Sequence, residues 1–454
     1  MKPSRLERAL RLFTDVRPGE GATALLMFAN VFLILCAYYF VKPLRDGWIA
    51  ISDVEGLSKM EVKAYSSFGQ SLLLVPIVAA YGRLSTRIPR GALITRASLF
   101  CLSNLVIFWA LQPGVFFDYL PASGIVFYLW VGLFGVFVVA QFWTFAADVY
   151  SDERGRRLLP MIAIGATAGA AAGSWITERL VAWQIVRTDQ LLLAATLPLA
   201  ASILLTRYVD ARSQRAPVVA PRPAGGAGGG ALAVVLRHPF LLATAILTLL
   251  MNWVNTNGEN LLFRVVQEFL AQQAASNGLA DGRAVQEFTR DGTTAFYGNF
   301  YFWVNLTALL LQAFVASRLL RYGGFGAILL MLPVIALLSY SAMALVPVLA
   351  VVKMMKVAEN ATDYSINNTA RHVLWLPVSS ALKFKGKPAI DTLVFRIGDG
   401  MAALTVMLGV QALALSTQGF FAFNVTLVLG WLGVALAVIS GHARLSREAA
   451  AHAA

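Results

Sequence analysis

Blocks of about 20 apolar residues, with charges confined to the gaps between them, recur along this chain and leave few folds open to it. A helix rises 1.5 Å per residue, so each block is long enough to cross a hydrocarbon core of about 30 Å. Twelve such blocks can be drawn, at approximately 22–42, 63–83, 92–112, 122–148, 158–183, 189–208, 239–263, 294–318, 324–341, 343–367, 392–415 and 419–440. In lipid, a backbone must satisfy its own N–H and C=O groups, and single apolar segments of this length do so only as helices. The expected fold is therefore an all-α polytopic membrane protein with twelve transmembrane helices.

Composition agrees. Of 454 residues, 58% are hydrophobic and 13% are charged, against about 25% charged in soluble domains. The formal net charge of +13 is read as basic loops on one membrane face, and no nucleic-acid partner is expected. Arg5, Arg8, Arg11 and Arg17 precede the first block. Arg83, Arg87 and Arg90 follow the second, and Arg154, Arg156 and Arg157 the fourth. Arg318 and Arg321 follow the eighth, Lys383, Lys385 and Lys387 the tenth, and Arg444 and Arg447 the twelfth. Loops 112–121 and 416–419 hold no Lys or Arg. The positive-inside rule then puts both termini in the cytoplasm. The first outer loop, with Lys42, Arg45 and Lys59, departs from this pattern and is a functional candidate. Only nine of the 37 basic residues are Lys, which with abundant Ala and Gly suggests a GC-rich bacterial genome and a multi-pass protein of the inner membrane. The first apolar block is too long for a cleaved leader and is read as a retained helix.

The segment 207–237 contains Pro221-Arg-Pro-Ala-Gly-Gly-Ala-Gly-Gly-Gly230. It carries no phosphate-loop pattern and reads as a linker. The expected organisation is an N-terminal six-helix bundle over 1–208, a flexible cytoplasmic linker over 209–237, and a C-terminal six-helix bundle over 238–454. A faint repeat supports the 6+6 division: Arg83-Leu84 then Gly91-Ala92 after the second block, and Arg318-Leu319 then Gly326-Ala327 after the eighth, at the same spacing. The segment Gly82-Arg-Leu-Ser-Thr-Arg87-Ile-Pro-Arg90 resembles the basic loop between helices 2 and 3 of the major facilitator superfamily, without that motif's acidic residue.

The tenth block breaks the apolar rule. Val346-Pro-Val-Leu-Ala-Val-Val runs directly into Lys353, Lys356, Glu359 and Asp363. At 100° per residue these four fall within an arc of about 120° on one helix face. A charge at mid-membrane costs roughly 2.5–3.5 kcal/mol on insertion scales, so this face is expected to look into water, substrate or partner charges. The seventh block carries Asn252, Asn255, Asn257, Glu259 and Asn260 around Gly258, and a stretch locally unwound at Gly258 and a helix end at the interface both fit. The eleventh carries Arg396 and Asp399, at a spacing that suits either an internal pair or a substrate contact. Lys42 and Arg45 close the first block, with Tyr38 and Tyr39 before them, and Lys63 opens the second. Interfacial anchoring and an electropositive mouth for an anion both fit. In the fifth block, Gly165, Gly169 and Gly173 make a smooth stripe for close helix packing, static or sliding. Val-Gln-Glu-Phe occurs at both 266–269 and 285–288, and 265–293 reads as a short external cap.

No catalytic constellation, metal spacing or cofactor motif stands out. His238, His372, His442 and His452 read as loop or tail residues, and Cys36 and Cys101 lie in apolar blocks.

Three stretches resemble the nucleotide transporters of the bacterial and plastidic ATP/ADP translocase type. The first is Tyr39 through Arg45-Asp46, followed by Lys63-Ala-Tyr and Pro76. The second is Thr294-Ala-Phe-Tyr-Gly298-Asn-Phe, continuing to Arg321-Tyr-Gly-Gly. The third is Asp363-Tyr-Ser365 through Arg371, Leu376-Pro377 and Lys385-Gly-Lys387-Pro-Ala-Ile-Asp391. The resemblance implies a major-facilitator-like fold and alternating access. Where the family has a glutamate in helix 4 this chain has Gly132, and where it has a lysine in helix 11 this chain has Asp399.

The resulting expectation is a monomeric secondary transporter for an anionic, nucleotide-type solute, working by exchange or proton coupling. Lys42, Arg45, Lys63, Asn255, Glu259, Lys353, Lys356 and Arg396 would bind the solute. Asp46, Glu359, Asp363 and Asp399 would balance charge or carry protons. A carrier for a different metabolite, lipid-linked or peptidic compound or drug, and a non-transporting scaffold or sensor, are the alternatives.

Overall fold

The computed structural model describes residues 16–85, 90–116, 119–120, 122–150, 152–212 and 229–453. Arg5, Arg8 and Arg11, the loop residue Arg87, and the linker stretch 221–228 lie outside the described residues. All regular structure among the described residues is helical.

The first six long helices are α1 (Gly21–Ile51), α2 (Lys59–Ser85), α3 (Arg90–Leu111), α4 (Ser123–Val149), α5 (Asp152–Ala182) and α6 (Gln190–Arg212). A short helix, Gly229–Arg237, leads into α7 (Pro239–Ser276). Then come α8 (Gly282–Leu311), α9 (Ser317–Leu345), α10 (Leu349–Thr362), α11 (Phe395–Met407) and α12 (Thr417–Ala453). Ten described runs are long and apolar enough to cross a membrane, one of them spanning Gly282–Leu345. That run is two passes, because Gly324 has φ 67° and ψ −168° and breaks the helix, a backbone state that only glycine adopts freely. Outside these runs lies α10, which continues through a wide π-helical turn, Asp363–Asn367, into Asn368–Leu374. Its charges set it apart from the apolar runs.

Two sequence expectations are corrected. The apolar pattern ends the first block at Lys42, but α1 continues to Ile51 through Pro43. Arg45 and Asp46 are therefore buried helix residues and not loop residues. Apolar neighbours at Leu44, Trp48 and Ile49 carry the burial onward past the charges. Second, 265–293 is not a separate cap. The helices α7 and α8 simply extend toward each other and turn at Gly278 (φ 68°). Of the segment 209–237, the described parts are the end of α6, up to Arg212, and the helix Gly229–Arg237.

The chain divides into two compact units. The first comprises Met1–Gly56, Leu73–Ala220 and Leu270–Leu306. Its core gathers Met27, Val31 and Ala37 of α1 with Phe127 and Phe134 of α4 and Leu199 of α6. α1 lies against α5 along the glycine stripe. A Cβ at Gly165 would sit 2.8 Å from the Phe28 carbonyl oxygen, and one at Gly169 or Gly173 would press on the Phe32 or Cys36 backbone. The stripe is thus a close-approach seam, extended by Thr177, whose hydroxyl donates to the Tyr39 carbonyl at 3.3 Å.

The second unit comprises Leu57–Leu72, Pro221–Phe269 and Thr307–Ala454. Here α9 packs on α12 and α10, with Tyr340 against Phe421 (ring centroids 6.4 Å apart). His442 lies within α12, not in a tail. Its ring stacks on Phe325 at 3.9 Å and its Nε2 lies 3.4 Å from the Val373 carbonyl.

Candidate functional site

In the second unit the charged face of α10 turns toward α7 and α9. Lys356 is 0% exposed. Its ammonium donates to Glu359 Oε2 at 2.9 Å, lies 3.6 Å from Glu259 Oε1 and reaches Asn255 Oδ1 at 3.5 Å. The Tyr340 hydroxyl, from α9, donates to Glu359 Oε1 at 3.1 Å. Asn360 Nδ2 donates to Glu259 Oε1 at 2.7 Å. Lys63, on the first turns of α2, donates to the Glu259 carbonyl oxygen at 3.2 Å and sits 4.6 Å above the Phe263 ring. A buried lysine is tolerated only when paired and hydrogen-bonded, and two carboxylates and an amide meet that need.

Gly258 does not unwind α7, which is continuous from Pro239 to Ser276. Its role is clearance. A methyl group there would overlap the Tyr340 hydroxyl and come within 2.7 Å of Lys356 Nζ. Sequence reasoning missed Tyr340 and Asn360. The Ser339-Tyr340-Ser341 cluster inside an apolar block was the available signal for the first.

A second network lies at Asp399. Asn252 Nδ2 donates to its Oδ1 at 2.8 Å, Thr256 Oγ1 to the same oxygen at 3.2 Å, and Arg396 Nη1 to Oδ2 at 3.3 Å. The Ser71 hydroxyl of α2 also bonds Asp399 and accepts from Arg396. Arg396 and Asp399 therefore form an internal pair braced by α2 and α7. Asp363 accepts from Asn367 Nδ2 at 2.6 Å across the wide turn. Lys353 is half-buried one turn before Lys356.

In the first unit, Lys42, Arg45 and Asp46 meet a set of tyrosines. Lys42 Nζ is 3.9 Å from the Tyr301 ring centroid and 5.0 Å from that of Tyr39. The Arg45 guanidinium lies 4.3 Å from the Tyr128 ring. The Tyr301 hydroxyl donates to Asp46 Oδ2 at 3.1 Å, and Arg45 Nη2 lies 3.7 Å from Asp46 Oδ1. Aromatic faces stabilise cations by about 0.5–2 kcal/mol. Tyr128 and Tyr301 were not singled out from the sequence, because a tyrosine in an apolar block looks like packing until its partner is known.

Each unit surrounds its cations with its own partners. In the second, Lys356 lies between Glu259 and Glu359, and Arg396 faces Asp399. In the first, Lys42 and Arg45 are seated on tyrosine rings, with Asp46 beside Arg45. The second unit also has an open cleft of about 380 Å³ where α2, α7 and the end of α11 meet, lined by Lys59, Arg264, Gln267, Glu268 and Leu415. Among the described residues no group of three His, Cys, Asp or Glu could hold a metal ion.

No family model matches the chain. A stretch of 129 residues is similar, at 25% identity, to ADP,ATP carrier protein 1 of Chlamydia pneumoniae, and covers 24% of this chain and 25% of the carrier. The match thus spans about a quarter of that relative's length. Among solved structures the chain is similar to the human organic anion transporter MFSD10 (TETRAN), at 15% identity and TM-score 0.57 over 92% of this chain and 100% of that one. It is also similar to the nucleoside transporter NupG, at 13% identity and TM-score 0.57 over 92% and 98%, and to a POT family peptide transporter, at 15% identity and TM-score 0.58 over 93% and 97%. Among the described residues the chain has the all-α, polytopic fold that these transporters share, and over the 129 matched residues its sequence resembles an ADP,ATP carrier.

Proposed function

We propose that this protein is a secondary transporter that moves an anionic, nucleotide-type solute across a bacterial inner membrane by alternating access, as a monomer with cytoplasmic termini. The observation that carries the reading is the seating of two cations, Lys42 and Arg45, on tyrosine rings within α1. A nucleotide brings several negative charges and a planar ring, and it needs fixed cations and aromatic faces. The local similarity to an ADP,ATP carrier supports the same class.

Lys63, Asn255, Glu259, Lys353, Lys356 and Arg396 complete the solute-binding set in this reading. Lys356 and Arg396 already oppose internal carboxylates. An incoming anion reaches either cation by taking the place of Glu359 or Asp399. A displaced carboxylate then needs a new partner, since an isolated buried charge is costly there. With Asp46 and Asp363, these carboxylates tie solute binding to charge balance or proton movement. The mixed charges of the second-unit network favour one further reading, a zwitterionic metabolite as cargo. Uptake of labelled ATP and ADP by proteoliposomes tests the proposal, with nucleosides and dipeptides as competitors. Competition by nucleotides alone supports it. Transport of the uncharged or zwitterionic competitors, with no nucleotide uptake, overturns it.

A further inference from the structure

Between α10 and α11 the second unit carries a basic, aromatic edge that the transport reading leaves unused. The chain turns at Leu376, which is 71% exposed, and forms the helix Ser380–Ala389. Gly386 and Ala389 are the buried side of this helix, and Leu241 of α7 lies 3.0 Å from where a Gly386 Cβ would stand. The opposite side presents Phe384, 61% exposed, and Lys383 and Lys385 flank it about 100° to either side around the helix axis. Asp391 is already held by Arg371 at 3.2 Å and by Lys387 at 3.0 Å. Among the described residues, Lys383 and Lys385 have no carboxylate within ion-pair distance.

The neighbouring helix ends match this character. The His442 ring on Phe325 and the close approach of its Nε2 to the Val373 carbonyl bring the start of α9, the end of α10 and the end of α12 to one end of the unit. Tyr322, 79% exposed, and Arg321 stand just before Phe325. An exposed aromatic ring flanked by ammonium groups, on a segment joining two membrane-crossing helices, suits the headgroup level. There the ring sits among the glycerol esters, and the lysine stems extend toward phosphate.

We propose that the Lys383-Phe384-Lys385 edge docks the headgroup phosphate of an anionic phospholipid. Phe384 inserts beside the acyl chains, and the ammonium groups on its two flanks extend back toward the phosphate and its neighbours. The lipid then bridges the α10–α11 segment to the bilayer. This site is separate from solute binding and stands whatever the cargo is.

The test is thermal unfolding of the full chain in neutral detergent, titrated with phosphatidylglycerol, phosphatidylcholine or inorganic phosphate. Phosphatidylglycerol should raise the Tm of the wild type, and phosphatidylcholine and phosphate should not. Replacing both lysines, as Lys383→Gln with Lys385→Gln, should weaken the phosphatidylglycerol response roughly 30-fold in concentration, from the effect of two basic residues at a membrane surface. Lys383→Arg with Lys385→Arg should keep it. An unchanged response in the double Gln variant, no response in the wild type, or an equal response to inorganic phosphate overturns the proposal.

Discussion

Lys356 Nζ lies 2.9 Å from Glu359 Oε2 in a setting where both side chains are buried. The pair sits one turn apart on α10, and its other ligands come from α7 and α9. Breaking such a pair leaves a buried charge without its partner, whereas removing both members does not. Lys356→Met should therefore destabilise the protein by about 3–5 kcal/mol, and adding Glu359→Leu should restore only part of the loss, because Glu259 still lacks its cation. Thermal unfolding of the purified variants measures this. A wild-type Tm for Lys356→Met would show that the pair is not closed in solution.

Gly258 gives a second handle on the same network. Gly258→Ala puts a methyl group into the Tyr340 hydroxyl and close to Lys356 Nζ, an overpacking that costs about 1–3 kcal/mol. Tyr340→Phe in the same chain removes the nearer obstacle. It should recover part of the Tm, even though Tyr340→Phe alone forfeits the bond to Glu359. No recovery would mean that α7 itself is displaced.

The helix seam in the first unit is tested by contrast. Gly169→Ala drives a Cβ into the Phe32 backbone, while a Cβ at Gly430 meets nothing within 4 Å. Gly169→Ala should lower Tm, and Gly430→Ala should leave it unchanged or slightly raised. Equal Tm values for the two variants would contradict the close approach of α1 and α5.

At the other end of that seam, Glu20 takes a bidentate pair from Arg157 at 3.0 and 3.1 Å and the Arg17 amide at 3.0 Å. Burial disfavours its charge. The Arg157 and Arg17 hydrogen bonds, with the charges of Arg157 and Arg154, outweigh burial and hold the carboxyl below the usual glutamate range. A depressed folded-state value contributes stability above the unfolded value that is lost as pH falls through the folded one. The wild type should thus lose Tm more steeply than Glu20→Gln as pH drops below the usual glutamate range. Glu20→Gln should be the less stable of the two at neutral pH. Parallel Tm curves across that range would remove Glu20 from the acid response.

Much of the fold was legible because lipid leaves the backbone few options. The apolar blocks gave the helices, and the glycine stripe of α5 gave a close-approach face. The misreadings arose where tertiary burial outweighed local polarity. Lys42, Pro43 and Arg45 look like a helix end, yet α1 continues because Tyr128 and Tyr301 cover the cations. The polar run of α7 looks like an unwound stretch, yet it stays helical because α10, α11 and α12 supply its partners. The arc of charges on α10 was visible from spacing alone. Its pairing was not, because Glu259, Tyr340 and Asn255 are distant in sequence.

The most direct test of the central claim is equilibrium binding of ADP and ATP to purified wild type and to Lys42→Gln with Arg45→Gln, read by thermal shift beside nucleosides and dipeptides. Binding of the nucleotides to the wild type, lost roughly tenfold or more in the double variant (at least about 1.4 kcal/mol), is the result predicted. Nucleotide binding of equal strength in both proteins, or binding of uncharged nucleosides and dipeptides in place of nucleotides, would contradict recognition of the solute by the cations of α1.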